Sequence, residues 1–330
     1  FGYPIPPQSE ILETLTEMRP WETTGMVVLQ AESETAAINM VYGGAACGKR
    51  VMTSSSSPGI SLMCEGLSYL AGAELPCLLV NVSRGGPGLG TIQPSQADYF
   101  QAVKGGGHGA PYSVQEMYDF VPLGFELAFK YCNPVMILAD GVIGQMMEKV
   151  VLTPQQPRWT DEYIAEKYDW ALTGKSSGRV RNVVTSLELD PAQQERVNEK
   201  LQRKYADVRR DEVRFEAIRC EDADYVLVAY GSSARICSKV VEMGREEGIK
   251  VGLLRPITLF PFPTEAIGEL SRKVKGFLSV EMSAGQMVED VRLAVEGRAP
   301  VCHYGRMGGI VHSPGEVFEA LKSNFLSKTK

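Results

Sequence analysis

No two of the seven cysteines, Cys47, Cys64, Cys77, Cys132, Cys220, Cys237 and Cys302, form a CxxC pair or repeat a short spacing. Structural zinc and iron–sulfur sites draw on clustered thiolates, so neither is expected on this chain. Reduced, buried thiols in a cytoplasmic protein are expected instead. Histidine is scarce: only His108, His303 and His312 occur, and none stands at metal-ligand spacing. No apolar run approaches the roughly 18 residues that a membrane-spanning helix needs. Positive charge is not in excess either. With 34 Lys and Arg against 40 Asp and Glu the net charge is -6, which argues against a nucleic acid or an anionic membrane as partner. Internal repeats and low-complexity tracts are missing. So is an initial Met: Phe1-Gly2-Tyr3-Pro4 reads as a strand-to-loop junction, and a natural N-terminus upstream of Phe1 is expected.

What is present is a globular composition, 44% hydrophobic and 22% charged over 330 residues, enough for two domains with a core each. Short apolar runs alternate with amphipathic stretches, the pattern of a parallel α/β layer. Strands are predicted over 25–30, 51–54, 77–82 and 135–138, with helices over 34–46 and 61–71 between them. From about residue 153 the character changes. Pro154, Pro157 and Trp159 begin an irregular connection, and Asp190-Pro191 supplies an N-cap and first-turn proline for a long charged helix. Its apolar positions Val197, Leu201, Tyr205 and Val208 form one narrow stripe, as on a helix lying across a surface. A second α/β unit follows, with strands over 225–230, 251–254, 276–280 and 301–304 and a last helix from about Pro314. The expected division is 1–152, a connector over 153–220, and 221–330.

Ligands of open α/β sheets sit at the carboxyl ends of strands, so three loops carry the candidate chemistry. GYPIPPQSE, residues 2–10, is stiffened by consecutive prolines, and Gln8 or Ser9 can cap the helix that follows. In LQAESETAA, residues 29–37, Glu32 and Glu34 stand where an apolar strand becomes an apolar helix. Such a carboxylate is either a partner for the helix dipole or a desolvated acid able to share a proton with a ring nitrogen. In VNVSRGGPGLG, residues 80–90, Arg84 ends a buried strand and precedes glycines. That suits either an ordinary turn or recognition of an anion by the planar guanidinium fork.

Taken in order, GYPIPPQSE, the glutamate after a strand, TSSSSPGIS and SRGGPGLG resemble the pyrimidine-binding domain of 2-oxoacid:ferredoxin oxidoreductases. AYGSSARI, GLLRPITLFPFP, VEMSAGQMVEDVRLAVEG and YGRMGG are similar to the transketolase-C-like domain of the same alpha subunit. The resemblance covers essentially the whole chain and is nearest to the branched-chain (2-oxoisovalerate) type. It implies a pyrimidine-binding thiamine diphosphate domain with a parallel sheet over 1–152, followed by a transketolase-C-like α/β domain over 221–330. The implied activity is oxidative decarboxylation of a 2-oxoacid with coenzyme A, electrons passing to ferredoxin. Glu34 matches the glutamate that hydrogen-bonds the aminopyrimidine ring, and Arg84 the arginine that binds the 2-oxoacid carboxylate. Tyr3, Pro4, Ile5, Pro6, Ser57 and Gly59 are implied to line the cofactor and Ser56 the substrate. His108, in KGGGHG near a strand end, is either a further substrate residue or a structural loop histidine.

Two departures stand out. Pro6 occupies the position where much of the family has threonine, and so offers neither a hydroxyl nor an N–H. Gly109 runs directly into Ala110-Pro111, where the family has a further hydrophobic strand; omission of that strand from this sequence is expected, since its loss would break the sheet. The family holds the diphosphate and its magnesium with a GDG motif and a later Asn, whereas this chain has Ala139-Asp140-Gly141. The resemblance therefore implies a beta subunit carrying that metal site, further iron–sulfur and gamma-type subunits, and a chain inactive alone. Three other readings compete: a 2-oxoglutarate enzyme of the same family, the beta-type subunit of a 2-oxoacid dehydrogenase, and a non-catalytic paralogue.

Overall fold

The computed structural model describes residues 1–104, 110–175 and 181–326. His108 lies outside the described residues. The chain packs into two compact units: Phe1–Val82, Tyr118–Ile137 and Lys149–Asp207 form one, and Ser83–Met117, Leu138–Glu148 and Val208–Lys330 the other.

The opening loop leads into α1 (Ser9–Glu17) and α2 (Pro20–Thr23), then α3 (Glu34–Ala46), β1 (Met52–Ser55), α4 (Ser57–Gly72) and β2 (Cys77–Ser83). After α5 (Tyr99–Lys104) and α6 (Val114–Tyr131) comes β3 (Pro134–Asp140). The first sheet has the order β1-β2-β3, with β1 and β2 parallel and Met52 opposite Leu78. Every residue of β2 and β3 is buried, as in strands covered on both faces.

The strand expected over 25–30 does not form: only Gln30 pairs, in an isolated bridge with Gly2. Met26, Val27 and Leu29 are exposed, so no burial backs their β-propensity. No further strand stands between β2 and β3 among the described residues, and α6 runs up to β3 instead. That helix was not legible in the sequence because it carries Pro122 and Gly124 in its interior. Gly124 is where the helix meets β2, since a Cβ there would strike Leu78.

Beyond α7 (Gly141–Gln145), the irregular connection holds α8 (Asp161–Lys167) and an aromatic cluster. Trp159 meets Phe129 edge-on at 4.8 Å, and Arg50 lies over the Trp159 ring at 4.7 Å. Next is α9 (Pro191–Asp211), opened as expected by Asp190, whose Oδ1 accepts from Ala192 N at 3.1 Å. Val208 is buried and Val197, Leu201 and Tyr205 half-buried, so the apolar stripe faces protein.

The second sheet contains β4 (Phe215–Ile218), β5 (Tyr225–Val228), β6 (Val251–Pro256), β7 (Gly276–Glu281) and β8 (Val301–Gly305) in the order β4-β6-β5-β7-β8. Between them run α10 (Gly231–Glu246), α11 (Thr264–Leu270) and α12 (Met287–Val295), with α13 (Pro314–Phe325) last. β4, which the sequence reading leaves inside the connector, is an antiparallel edge strand. Its residues are mostly exposed, so it lacks the apolar run that marks its neighbours.

All seven cysteines are free thiols, but only Cys77, Cys220 and Cys237 are buried; Cys64 is exposed and the rest half-buried. The expectation of buried thiols fails at Cys64 because it sits beside, not on, the α4 face formed by Gly59, Ile60, Met63, Gly66 and Leu70. Among the described residues no helix is long and apolar enough to cross a membrane.

Candidate active site

In the first unit the site builds from the start of α3. Ser33 caps that helix, its Oγ accepting from Ala36 N at 3.1 Å. Glu34 is the first helical residue and shares the face of Ala37, Ile38, Val41 and Ala45, all buried. That periodicity draws the carboxylate inward. Glu34 is 6% exposed, whereas Glu32, outside the helix, is exposed. The helix dipole favours an anion at this position. No hydrogen bond of the Glu34 carboxylate is found among the described residues.

Two neighbours complete the corner. Ser55 ends β1, is fully buried, and its Oγ has no hydrogen-bond partner; Thr53 Oγ1, on the same strand face, has none either. Gly59, in the first turn of α4, is the point where helix and carboxylate touch. A Cβ there would overlap the Ser55 hydroxyl and stand 2.8 Å from Glu34 Oε1. A buried acid and buried hydroxyls with unfilled hydrogen-bonding capacity cost stability unless something polar occupies the corner.

The other residues singled out by sequence have these places. Tyr3, Pro4 and Ile5 are half-buried and Pro6 is exposed. Gly2 is tied to the approach of α3 by Gly2 N to Leu29 O at 3.1 Å and Ala31 N to Gly2 O at 2.8 Å. Gln8, which with Ser9 was a candidate cap for α1, stands at the N-cap position but makes no side-chain capping bond. Its side chain instead donates to Tyr3 O at 3.0 Å and accepts from Ser54 Oγ at 2.7 Å, bracing the loop on β1. Ser56 is fully buried and donates to Val82 O at 2.8 Å, while Ser57 begins α4 half-buried.

Arg84 belongs to the second unit. It follows β2, is 7% exposed, and forms an isolated antiparallel bridge with Pro94. The glycines after it make a tight loop: a Cβ at Gly90, where φ is +54°, would overlap the Gly85 carbonyl. Residues 86–90 are exposed while Arg84 and Gly85 are buried, so the loop projects and the guanidinium does not.

A buried polar group in this unit was missed by sequence reasoning. Asp140, noted only as part of Ala139-Asp140-Gly141, accepts from Val142 N at 2.9 Å and Ile143 N at 3.3 Å, capping α7. It also accepts from Ser232 Oγ at 2.7 Å. Burial pushes its carboxyl up against these bonds. No short spacing links Asp140 to Ser232, so no local signal exposes the pair. No group of three or more His, Cys, Asp or Glu side chains that could hold a metal ion is found among the described residues.

The structure is thus an α/β protein of two units, with a carboxylate buried at a helix start beside a parallel strand of the first. Residues 1–211 match the family described as "Pyruvate flavodoxin/ferredoxin oxidoreductase, thiamine diP-bdg", and residues 223–317 match "Pyruvate:ferredoxin oxidoreductase core domain II". The chain belongs to the 2-oxoacid:ferredoxin oxidoreductases, as a subunit of a heteromeric enzyme of that family. It is 54% identical to the ketoisovalerate oxidoreductase subunit VorB of Methanothermobacter marburgensis over 94% of this chain and 87% of that one. Identity to the 2-oxoglutarate synthase subunit KorA of Archaeoglobus fulgidus is 37%, over 88% and 84%. Among solved structures, the 2-oxoglutarate:ferredoxin oxidoreductase from Magnetococcus marinus, with 2-oxoglutarate, coenzyme A and succinyl-CoA bound, aligns with a TM-score of 0.81 at 25% identity. That alignment covers 98% of this chain and 61% of the other. A split-gene transketolase, at 13% identity and a TM-score of 0.57, shares the fold.

Proposed function

We propose that this chain is the alpha subunit of an enzyme that oxidatively decarboxylates 2-oxoisovalerate with coenzyme A and passes the electrons to ferredoxin. The observation that carries the catalytic part is the buried Glu34 carboxylate, without a hydrogen bond among the described residues, beside Gly59 and the unpartnered Ser55 hydroxyl. Substrate choice rests on identity: 51–54% to two ketoisovalerate oxidoreductase subunits, against 32–37% to four 2-oxoglutarate synthase subunits. A 2-oxoglutarate enzyme is the second reading, favoured by those four relatives and the Magnetococcus structure.

Thiamine diphosphate, when bound, supplies the carbon nucleophile and the electron sink that this chain's side chains lack. Glu34 Oε would serve as the hydrogen-bonding partner of the aminopyrimidine ring, a role open to a buried carboxylate that makes no hydrogen bond of its own among the described residues. Tyr3, Pro4, Ile5, Pro6, Ser57 and Gly59 line the ring's surroundings, the glycine because only a missing Cβ leaves room beside Glu34. Arg84 receives the 2-oxoacid carboxylate in its planar fork. Ser56, the other residue assigned to substrate, fixes the start of α4 through its bond to Val82 O. The magnesium, its GDG motif and the iron–sulfur clusters belong to partner chains in the cytoplasm. Along this chain, 1–152 acts as the pyrimidine domain, 153–220 as the connector and 221–330 as the transketolase-C-like domain.

The test is Glu34→Gln in the purified complex, assayed by coenzyme A-dependent reduction of a viologen dye. Turnover is expected to fall by about 10²- to 10⁴-fold, the range for loss of a positioned acid, with the melting temperature retained. Undiminished turnover would remove Glu34 from the mechanism. Comparing 2-oxoisovalerate, 2-oxoglutarate and pyruvate in the same assay decides the substrate, and preference for 2-oxoglutarate establishes the second reading.

A further inference from the structure

Gln96 lies in the second unit, is 2% exposed, and bonds Tyr230, Ser233 and Met282 through its side chain and Tyr230 and Met282 again through its backbone. Its Nε2 donates to Tyr230 O at 2.9 Å, and its Oε1 accepts from Ser233 Oγ at 2.7 Å and Met282 N at 2.9 Å. Its backbone N donates to Met282 O at 3.0 Å, and its carbonyl accepts from Tyr230 Oη at 3.1 Å. Tyr230 lies just past β5 and Met282 directly follows β7, neighbouring strands, so the carboxyl ends of both grip one residue.

That residue ends the returning arm of the Arg84 loop. Ser95 N donates to Ser83 O at 3.3 Å and Gly85 N to Gln93 O at 3.0 Å, rungs on either side of the Arg84–Pro94 bridge. The outgoing arm continues β2 and is braced beyond it by the returning arm, whose far end Gln96 holds. We propose that Gln96 is a positioning residue for Arg84: it sets where the guanidinium stands without touching substrate. The inference rests on the reading of Arg84 as the carboxylate-binding group. A guanidinium displaced by an ångström loses much of its directed bonding, because bidentate recognition is stringent in geometry. A residue that served only as internal glue would affect unfolding and leave substrate recognition alone.

The experiment is a double-mutant cycle in the purified complex with Gln96→Ala and Arg84→Gln. For Q96A, KM for the 2-oxoacid is expected to rise about tenfold while kcat stays within about twofold, the signature of weakened ground-state binding. Thiamine diphosphate affinity, followed by calorimetry, is expected to hold. In the R84Q background Q96A is expected to add nothing to the loss of kcat/KM, since its effect runs through the missing guanidinium. Equal losses in both backgrounds, or an unchanged KM, overturn the link between Gln96 and Arg84. An R84Q complex with wild-type KM sinks instead the reading of Arg84 itself. Should Q96A not accumulate, Ser233→Ala removes one donor to Gln96 Oε1. It is expected to raise KM by about threefold in the same Arg84-dependent manner, and an unchanged KM there also overturns the proposal.

Discussion

A methyl group at position 59 has nowhere to go: it would overlap the Ser55 hydroxyl and press on Glu34 Oε1 at 2.8 Å. Gly59→Ala is therefore expected to displace the Glu34 carboxylate, with overpacking of about 1–3 kcal/mol in the unfolding free energy. Calorimetry is expected to show thiamine diphosphate binding weakened by about tenfold or more, since a small misplacement of a directing group is costly. His312 tests a different residue-scale effect. It is 2% exposed, its two ring nitrogens have no hydrogen-bond partner, and burial lowers its pKa from 6.5 to about 4. The folded state thus favours the neutral ring, Glu316 opposing and Arg306 reinforcing the effect of burial. Its contribution is fully present above pH 6.5 and is lost as pH falls from there toward about 4. The loss is on the order of 3 kcal/mol. His312→Leu is expected to flatten the drop in denaturation midpoint between pH 7 and pH 4.5; an equally steep drop in the variant would place the acid sensitivity elsewhere.

Elements are held mainly at their ends. The start of α13 is a full capping box: Ser313 Oγ accepts from Glu316 N at 3.3 Å, and the Glu316 carboxylate accepts from Ser313 N at 2.7 Å. Ser313→Ala is expected to lower stability by about 1 kcal/mol in urea unfolding, with catalysis unchanged. At α12 the cap is Glu281, fully buried at the end of β7. It accepts from Gln286 N at 2.9 Å, Met287 N at 3.1 Å and Val288 N at 3.0 Å, and from Ser283 Oγ at 2.8 Å. Glu281 and Glu34 are both buried carboxylates at helix starts, yet one is saturated by its own fold and the other is not. On the proposed function, that contrast, rather than burial alone, is what marks Glu34 as the chemical acid and Glu281 as the structural one. Removing the acceptors with Glu281→Ala is expected to strip several buried N–H groups of partners at about 1–3 kcal/mol each. Unfolding of the variant chain is expected at markedly lower urea.

On the proposed function, labour across the whole molecule is divided between chains: this one would offer an acid, a guanidinium and a cradle without a Cβ, and its sequence has no GDG motif for a diphosphate metal. The purified chain is accordingly expected to show no 2-oxoacid-dependent dye reduction until its partner chains are added, and activity from the chain alone would contradict the shared-site reading. The sequence by itself determined what depends on local pattern: α3 from Glu34 onward, the unbroken apolar β2, the Asp190-Pro191 start of α9, and the strand–helix alternation behind the parallel pairs β1–β2, β5–β6, β5–β7 and β7–β8. These follow from periodicity and capping, which act over a few residues. Tertiary structure alone decided which of two nearby glutamates is buried, that Gln8 braces β1 instead of capping α1, that residues 25–30 lack a strand, and that Asp140 and Gln96 meet Ser232 and Tyr230. Those outcomes depend on which surfaces the folded chain brings together over long separations, and hydrogen bonds formed at such distances leave no spacing in the sequence to read.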